Sequence, residues 1–272
     1  MPKKRKILFI IGILLIAFGV GYLSYSLVSM IRAKQHQETM HSIAFHETTA
    51  VPETEETVTL PLTTEIAETE TDPPEKEPYV SPIDFEALWE INPDIYAWLE
   101  IIDTDVSFPV LQHPTDNDYY LNHTPEGKSG KPGSIYSFNV NAKDFTDFNT
   151  VIYGHRWNDG TMFAKLHEYR DESYLKEHQT IKIYLPDREL VYTIFASVIY
   201  DDRLITSYYD FSDPESCRMY LDSIYGCRDL NSHVLSEPPV TENDRILTLS
   251  TCVRGQKNNR YLVVAVLTDE IT

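Results

Sequence analysis

Three residues of types that support nucleophilic catalysis stand at the ends of predicted strands. Cys252 closes an apolar strand that begins at Arg245, and His155 closes another that begins at Val151. Arg260 opens the next strand after a polar, loop-like stretch, so a hairpin would return it beside Cys252. A cysteine attacks a carbonyl as its thiolate, which a nearby histidinium or arginine favours. The pattern predicts a cysteine nucleophile, with His155 protonating the leaving amine and Arg260 stabilising an oxyanion or holding the substrate backbone.

Each of these residues also has a simpler structural interpretation. A free cysteine is commonly a small buried apolar residue. A lone histidine commonly satisfies a local hydrogen bond, and Arg260 taken alone would suit a surface ion pair. The joint placement of Cys252, His155 and Arg260 at strand ends of an exported chain favours catalysis. No carboxylate is clearly placed as a third member of a triad, and none is assigned.

The other cysteines and the histidines bear on disulfides and metals. The chain has three cysteines, and an odd number leaves at least one thiol outside internal pairing. If Cys217 and Cys227 lie on one continuous helix, ten residues separate them by about 15 Å along its axis, beyond the roughly 7 Å that a disulfide allows. We expect both to be unpaired unless the helix ends near Gly226 and the chain folds back. No C-x-x-C pair occurs and the histidines are scattered, so we expect no metal and no required cofactor.

The distribution of charge bears on partners and location. The net charge is -19, with 42 acidic against 23 basic residues, and phosphate binding needs clustered Lys and Arg, so nucleic acid is not an expected partner. Four basic residues at 3–6 precede an uncharged apolar run at 7–31, which is long enough to span a bilayer. The basic flank predicts that residues 1–6 are cytoplasmic and that the remainder lies outside. The run exceeds the apolar region of a cleaved signal peptide, so a single-pass anchor in the cell membrane is expected.

Composition divides the remainder into a tether and a folded domain. Residues 32–78 are predicted to be an acidic extracellular tether, because from His46 onward the stretch is rich in Thr, Glu and Pro and has few large apolar residues. The catalytic domain is predicted at 79–272. A helix is expected to start at Ser81-Pro82-Ile83-Asp84, with serine as cap and proline in the first helical position. The signal Asn92-Pro93-Asp94 is expected to restart a second short helix.

Strand-like segments dominate after these helices. About eight strands with few helices predict a mostly β fold, a closed eight-stranded barrel. Short helices are expected at 116–122 and 161–169, and a longer one at 213–225 precedes the cysteine strand. The predicted strands are 97–102, 106–112, 134–138, 150–153, 180–184, 189–200, 245–251 and 261–267.

The stretch Thr248-Leu-Ser-Thr-Cys252, followed eight residues later by Arg260, resembles the active-site signature of sortases, and of class B in particular. The resemblance covers most of the folded domain, from about Ile83 to Leu267. The helix predicted at 213–225 also suits that class. The further segments that carry the resemblance are Asn92–Leu99 (similar to the N-terminal helix motif of the class), Phe108–Gln112, Asp116–Leu121, Val151–His155 and Met162–Leu166.

This resemblance implies a sortase-type β-barrel with N-terminal helices and the chemistry of a cysteine transpeptidase of Gram-positive bacteria. Cys252 would attack the Thr carbonyl in the C-terminal sorting signal of a surface protein, release the peptide beyond it, and hold the protein as a thioester. An amine of a peptidoglycan precursor or of a pilin lysine would resolve that intermediate. His155 would be the general acid and base, and Arg260 would orient the substrate and stabilise the oxyanion. The residues implied to line the substrate groove are Asn117 and Leu121, with Ser250, Thr251 and Tyr200 as further candidates.

Several alternatives remain open. Ser250 and Thr251 would equally serve ordinary strand hydrogen bonding. A papain-type protease would place its cysteine at a helix start with the histidine downstream, whereas Cys252 closes a strand and His155 lies upstream. A non-catalytic anchored barrel that binds a ligand or partner would tolerate Cys252→Ala. Within the family, the sequence does not separate wall anchoring from pilin polymerisation, and only the resemblance favours an Asn-Pro-x-Thr-type or related Pro-x-Thr motif.

Overall fold

The computed structural model describes residues 3–45, 78–157 and 160–272 of the chain. The strands are β1 (Ile95–Ile101), β2 (Ser107–Leu111), β3 (Ile135–Ser137), β4 (Asn149–Tyr153), β5 (Thr180–Tyr184), β6 (Glu189–Asp201), β7 (His233–Val234), β8 (Ile246–Val253) and β9 (Gln256–Ile271). The α-helices are α1 (Lys3–Ala44), α2 (Phe85–Ile91), α3 (Glu172–Glu177), α4 (Ile205–Tyr208) and α5 (Pro214–Tyr225). Short 3-10 helices cover Tyr119–Leu121 and Phe163–Arg170.

Eight of these strands close into a barrel, as predicted. They are hydrogen-bonded in the order β5-β1-β2-β3-β4-β8-β9-β6, and pairing of β5 with β6 completes the ring. The two-residue strand β7 adds to β6 outside the ring. Most neighbours run antiparallel, whereas β2 and β3, and β4 and β8, run parallel. Buried aliphatic and aromatic side chains from the strands fill the barrel, so the site has a rigid scaffold.

The region around Asn92 corrects one prediction, because only one short helix precedes the barrel there. Helix α2 ends at Ile91 and strand β1 begins at Ile95. The side chain of Asn92 accepts a hydrogen bond from the backbone nitrogen of Asp94 at 3.0 Å, which forms a turn and not a helix cap. Residues 95–99 are all buried between β2 and β5, and burial on both faces overrides the local helix signal.

The start of α2 also differs from its prediction. Asp84, and not Ser81, is the N-cap, since its side chain accepts a hydrogen bond from the backbone nitrogen of Ala87 at 2.9 Å. Ser81 instead accepts from the backbone nitrogen of Ile83 at 3.3 Å. Pro82 therefore lies before the helix and not at its first position. The aspartate cap serves the same end, because it satisfies an amide that the first helical turn leaves open.

Helix α1 reaches the barrel without interruption. Its segment Ile10–Val28 is apolar and long enough to cross a membrane, and none of it is buried against the rest of the chain. The helix then continues to Ala44, which is fully buried, and Met40 is 2% exposed against α2 and β2. Residues 34–45 therefore differ from the predicted tether, because Met40 and Ala44 pack against the folded domain. The rest of that prediction, residues 46–77, lies outside the described residues.

The far side of the barrel carries α5, the longer helix predicted before the cysteine strand. Asp213 caps it, and Pro214 occupies its first turn. Its buried face packs against β6, β8 and β9 through Tyr220, Leu221 and Ile224. The cysteines bear out their prediction, since all three are free thiols, with Cys217 buried and Cys252 exposed.

Candidate active site

Three neighbouring strands bring the predicted catalytic residues together. Strand β4 runs parallel to β8 in a register that pairs Tyr153 with Ser250, and two further positions place His155 alongside Cys252. Strand β9 runs antiparallel to β8 and pairs Arg260 with Cys252. The parallel neighbour β4 thus leads to His155 on one side of Cys252, and the antiparallel neighbour β9 supplies Arg260 on the other.

All three side chains line one cavity of about 210 Å³ at this end of the barrel. Its openness to solvent agrees with the exposure of Cys252, whose thiol is accessible to a reagent or substrate. This volume lies below the range of about 300–1,000 Å³ that is usual for ligand pockets, so only part of a larger substrate would lie inside the cavity. Of the predicted substrate-binding residues, the cavity also includes Leu121, Ser250 and Thr251.

His155 is held by the backbone of the segment before β3. Its Nε2 atom lies 2.6 Å from the carbonyl oxygen of Leu121. A carbonyl only accepts, so Nε2 carries the proton in this arrangement, and in the neutral ring Nδ1 is the basic nitrogen. A carbonyl partner fixes the tautomer and the ring plane of a histidine, which is what a residue that exchanges protons needs. The imidazole of His155 also lies 6.0 Å from the ring of Trp157.

Cationic side chains surround the thiol of Cys252. Arg156 follows His155 directly, and its charge interacts with Cys252, Arg254 and Arg170. Burial, followed by the two neighbouring arginines, lowers the pKa of Arg156 from its ordinary value, whereas Cys252 opposes that shift. The sequence interpretation missed Arg156 and Arg254, although both adjoin predicted catalytic residues.

Arg260 is oriented by the hairpin it belongs to. Its Nη1 atom donates to the carbonyl oxygens of Lys257 at 3.2 Å and Asn259 at 3.1 Å. Nearby, burial raises the pKa of Tyr153 to about 12, against the opposing effects of a hydrogen bond to Thr206 and the charge of Arg260. Tyr153 therefore stays neutral at physiological pH, and Arg260 supplies positive charge to this wall of the cavity.

The positions of Ser250 and Thr251 fit both roles that the sequence left open, which are lining the substrate groove and ordinary strand hydrogen bonding. Both line the cavity but are nearly buried, with exposed fractions of 4% and 2%. The hydroxyl of Thr251 donates to the carbonyl oxygen of Gly154 at 2.8 Å, which ties β8 to the residue before His155. Gly154 itself has no room for a side chain, because a Cβ atom there would lie 2.6 Å from the ring of Phe163.

The structure places Asn117 and Tyr200 away from the cavity wall. Asn117 accepts a hydrogen bond from the backbone nitrogen of Asn139 at 2.8 Å, which joins two loops near the site. Tyr200 is 7% exposed, and its hydroxyl lies 2.8 Å from both the Tyr209 hydroxyl and the Ser223 hydroxyl. Its ring belongs to the cluster under α5, so its contacts are those of a core residue.

Aromatic and apolar residues complete the cavity, and the sequence interpretation did not identify them. Phe138 stacks on Tyr153 with ring centroids 4.6 Å apart. Opposite them, the residues before and at the start of α4 contribute Leu204, which is 42% exposed, and Ile205. Tyr, Phe and Leu are frequent throughout this chain, so only the barrel topology identifies the ones that face Cys252. An apolar wall beside a cationic one suits a peptide with both apolar side chains and a polar backbone.

The described residues include no group of three or more His, Cys, Asp or Glu side chains arranged to hold a metal ion. The expectation of a cofactor-free reaction therefore stays a prediction. The chemistry that the site offers by itself is that of a thiol beside an imidazole and a guanidinium. Those groups are sufficient for acyl transfer through a thioester.

Known proteins resemble this chain in sequence and identify its family. A Sortase domain family model matches residues 99–268. Sortase B of Listeria monocytogenes is 37% identical over 167 residues, which cover 61% of this chain and 65% of that protein. Sortase B of Staphylococcus aureus is 33% identical over 186 residues, covering 66% of this chain and 73% of that protein.

Solved structures show the same likeness. Clostridium perfringens sortase B superimposes with a TM-score of 0.61 and 30% identity, over 68% of this chain and 100% of that one. A Staphylococcus aureus sortase B–substrate complex superimposes with a TM-score of 0.61 and 30% identity, over 70% of this chain and 87% of that one. The chain therefore belongs to the sortase family, and the relatives it matches are sortases of class B.

Proposed function

We propose that this sortase is a membrane-anchored cysteine transpeptidase that joins surface proteins to an amine outside the cell. The observation that carries the proposal is the presence of Cys252, His155 and Arg260 on the wall of one open cavity. Each comes from a different strand, so their convergence is a property of the barrel and not of one local motif.

In the first half-reaction the thiolate of Cys252 attacks the carbonyl carbon of the threonine in a sorting signal. A C–S bond forms, the C–N bond to the following residue breaks, and the departing amine takes a proton from His155. Negative charge develops on the carbonyl oxygen in the tetrahedral state, and the guanidinium of Arg260 is placed on the same wall to stabilise it.

In the second half-reaction an amine attacks the thioester carbonyl. His155, now neutral, accepts the proton of the incoming amine, the C–S bond breaks, and the Cys252 thiolate is restored beside a protonated His155. The exposure of Cys252 gives the acceptor a route from solvent. The same imidazole thus serves as acid in one step and base in the next.

The substrate we propose is a C-terminal sorting signal of an Asn-Pro-x-Thr-type or related Pro-x-Thr sequence, by resemblance to the family. One matched structure is a sortase B–substrate complex, which supports the binding of a sortase substrate by this chain as well. The acceptor we propose is the amine of a peptidoglycan precursor, with a pilin lysine as the alternative. The apolar wall of Leu204 and Ile205 would receive the apolar part of the signal.

The proposed location is the cell membrane, with residues 1–6 in the cytoplasm and the barrel outside. The apolar segment Ile10–Val28 supports a single span within the proposed anchor at 7–31. The basic residues that precede it support an inward N-terminus. The domain proposed at 79–272 gains residues 34–45 of α1 as a packed element.

The test uses the full chain in detergent with a panel of sorting-signal peptides of the form Asn-Pro-x-Thr and related Pro-x-Thr sequences. We expect a mass adduct on Cys252 with at least one peptide, and its transfer to triglycine when that amine is added. Cys252→Ala should lose both products, whereas the matched control Cys217→Ala, a buried thiol outside the cavity, should keep them. If the wild-type chain forms no adduct with any peptide and behaves in cells like Cys252→Ala, the proposal that it is an enzyme is refuted. A binding module is then favoured.

A further inference from the structure

One short helix contacts the backbones of both reacting residues. The 3-10 helix Phe163–Arg170 begins with the backbone nitrogen of Phe163, which donates to the carbonyl oxygen of His155 at 3.1 Å. One turn later, Nε2 of His167 lies 3.0 Å from the carbonyl oxygen of Cys252. The helix is anchored in the barrel core, since Phe163 and Leu166 are fully buried. A single rigid element thus bridges the two strands that carry the acid and the nucleophile.

The ring of His167 is fixed in this position. It stacks on Tyr261 with ring centroids 4.9 Å apart and an interplanar angle of 29°. Tyr261 is fully buried and pairs with Thr251, next to the nucleophile. A carbonyl only accepts, so Nε2 must donate. Nδ1 has no hydrogen-bond partner within the described part of the chain, as a neutral ring protonated on Nε2 allows.

The protonation state agrees with that role. Burial, the largest cause, lowers the pKa of His167 to about 4, with Arg170 and Arg156 acting in the same direction and the bond to the Cys252 carbonyl opposing them. The imidazole is therefore neutral at physiological pH. A neutral, non-titrating ring is a poor proton donor in catalysis but a constant hydrogen-bond donor to a backbone carbonyl.

The hydrogen bond from His167 to Cys252 lies where the regular pairing of β8 with β9 ends. Cys252 pairs with Arg260, but the next pair is Val253 with Gln256, so the β8–β9 register shifts directly after Cys252. The carbonyl of Cys252 belongs to the peptide group at this irregularity. A bond to that carbonyl limits rotation of the peptide plane and, with it, the direction in which the thiol points. Small errors in such a direction are costly for attack on a carbonyl.

We propose that His167 is a positioning residue, which holds the Cys252 carbonyl and thereby sets the placement of the thiol relative to His155. This inference rests on the proposed transpeptidase function. In this role His167 does not contact the substrate, since its hydrogen bond is to the backbone carbonyl of Cys252 and not to the thiol.

The test compares three variants of the full chain in detergent. His167→Phe keeps a ring on Tyr261 and removes the donor, whereas His167→Gln retains an N–H donor. His178→Phe is the matched control, because His178 also stacks on a tyrosine (Tyr174, 4.1 Å) and bonds its carbonyl at 3.1 Å, away from the cavity. Initial rates with the Asn-Pro-x-Thr peptide panel give kcat and KM, and thermal melting reports folding.

We expect kcat of His167→Phe to fall about tenfold or more with KM within about twofold, because misplacement affects the transition state more than binding. His167→Gln should recover most of the rate, and His178→Phe should match wild type in kcat. Wild-type kcat in a folded His167→Phe protein would overturn the proposal. Should that variant fail to fold, His167→Leu replaces it, and failure of both to fold would show a purely structural contact and overturn it too.

A second readout separates this inference from the proposed function. The rate of Cys252 alkylation by iodoacetamide as a function of pH requires no peptide. If no peptide acylates the wild type, the proposed function fails, and the alkylation midpoint then decides alone. A midpoint shifted in His167→Phe but not in His167→Gln supports positioning, and equal midpoints overturn it. The titratable and charged groups around the thiol, besides His167, are Tyr136, Tyr153, His155, Arg156, Asp202, Arg203, Arg254 and Arg260.

Discussion

Arg260 lies directly opposite Cys252 in the β8–β9 ladder, at the last regular pair before the register shifts. A residue pair at this place combines two properties. Its backbones are fixed by the sheet on one side, and its side chains reach an open cavity on the other. Irregularities of this kind are frequent next to active sites, where they redirect a side chain or end the strand pairing.

Activity should depend on the donor geometry of the Arg260 guanidinium as well as on its charge. Arg260→Gln is expected to lower kcat/KM about 100-fold, the usual loss when one donor to an oxyanion is removed. Arg260→Lys keeps the charge but loses the fork of donors that Lys257 and Asn259 orient, so we expect a loss of about tenfold. Peptide cleavage rates measure both. Arg218→Lys, an exposed arginine paired with Glu242, should equal wild type. Full activity in Arg260→Gln would remove this residue from the mechanism.

The packing of α1 on the barrel should contribute to stability. Met40→Ala is expected to lower the free energy of unfolding by about 2 kcal/mol or more, because Met40 is 2% exposed and its truncation leaves a cavity. Met219→Ala on the surface of α5, where the methionine is 55% exposed, should change it by less than about 0.5 kcal/mol. Urea unfolding of the full chain in detergent gives both values. Equal effects would mean that α1 does not pack on the barrel in solution.

The half-buried imidazole of His167 should make stability depend on pH. Its pKa is lowered to about 4 from an ordinary value of 6.5, so the unfolded chain takes up a proton first as the pH falls. The unfolded state then binds more protons than the folded state, and stability is lost between about pH 6.5 and pH 4. His167→Gln lacks this component, so its stability should fall less than that of wild type between pH 7 and pH 5. The free energy of unfolding of both proteins is measured with urea at the two pH values. Equal losses in wild type and His167→Gln would contradict this prediction.

Much of the barrel was predictable, because its strands carry a plain local signal. The segments around 180–184 and 189–200 alternate or run apolar, and turns separate them, so their positions follow from periodicity. The ends of two such strands located His155 and Cys252. The error at Asn92 has a physical cause, since a turn signal before an apolar stretch suits a helix or a strand equally. Only the pairing of that stretch with β2 and β5 decides between them.

The rest depended on contacts between segments far apart in sequence. His167 is one of nine histidines, and nothing local marks it as a partner of a carbonyl 85 residues away. Tyr200 was a candidate through the family resemblance alone, yet α5 covers it. Residues 34–45 are largely polar with a few apolar side chains, and their helical spacing becomes informative only when the surface that receives Met40 is known.

The continuity of α1 determines how far from the bilayer this enzyme can work. In the proposed topology, sixteen residues separate Val28, at the end of the apolar segment, from Ala44, and a helix of that length rises about 24 Å. The backbone nitrogen of Asp84 donates to the carbonyl oxygen of Ala44 at 2.8 Å, so the chain returns to the point it left, whatever path residues 46–77 take. The length of the acidic stretch therefore does not increase the distance between the bilayer and the barrel. On the proposed function, both the protein to be attached and the amine that receives it would have to reach the catalytic cleft at about that height.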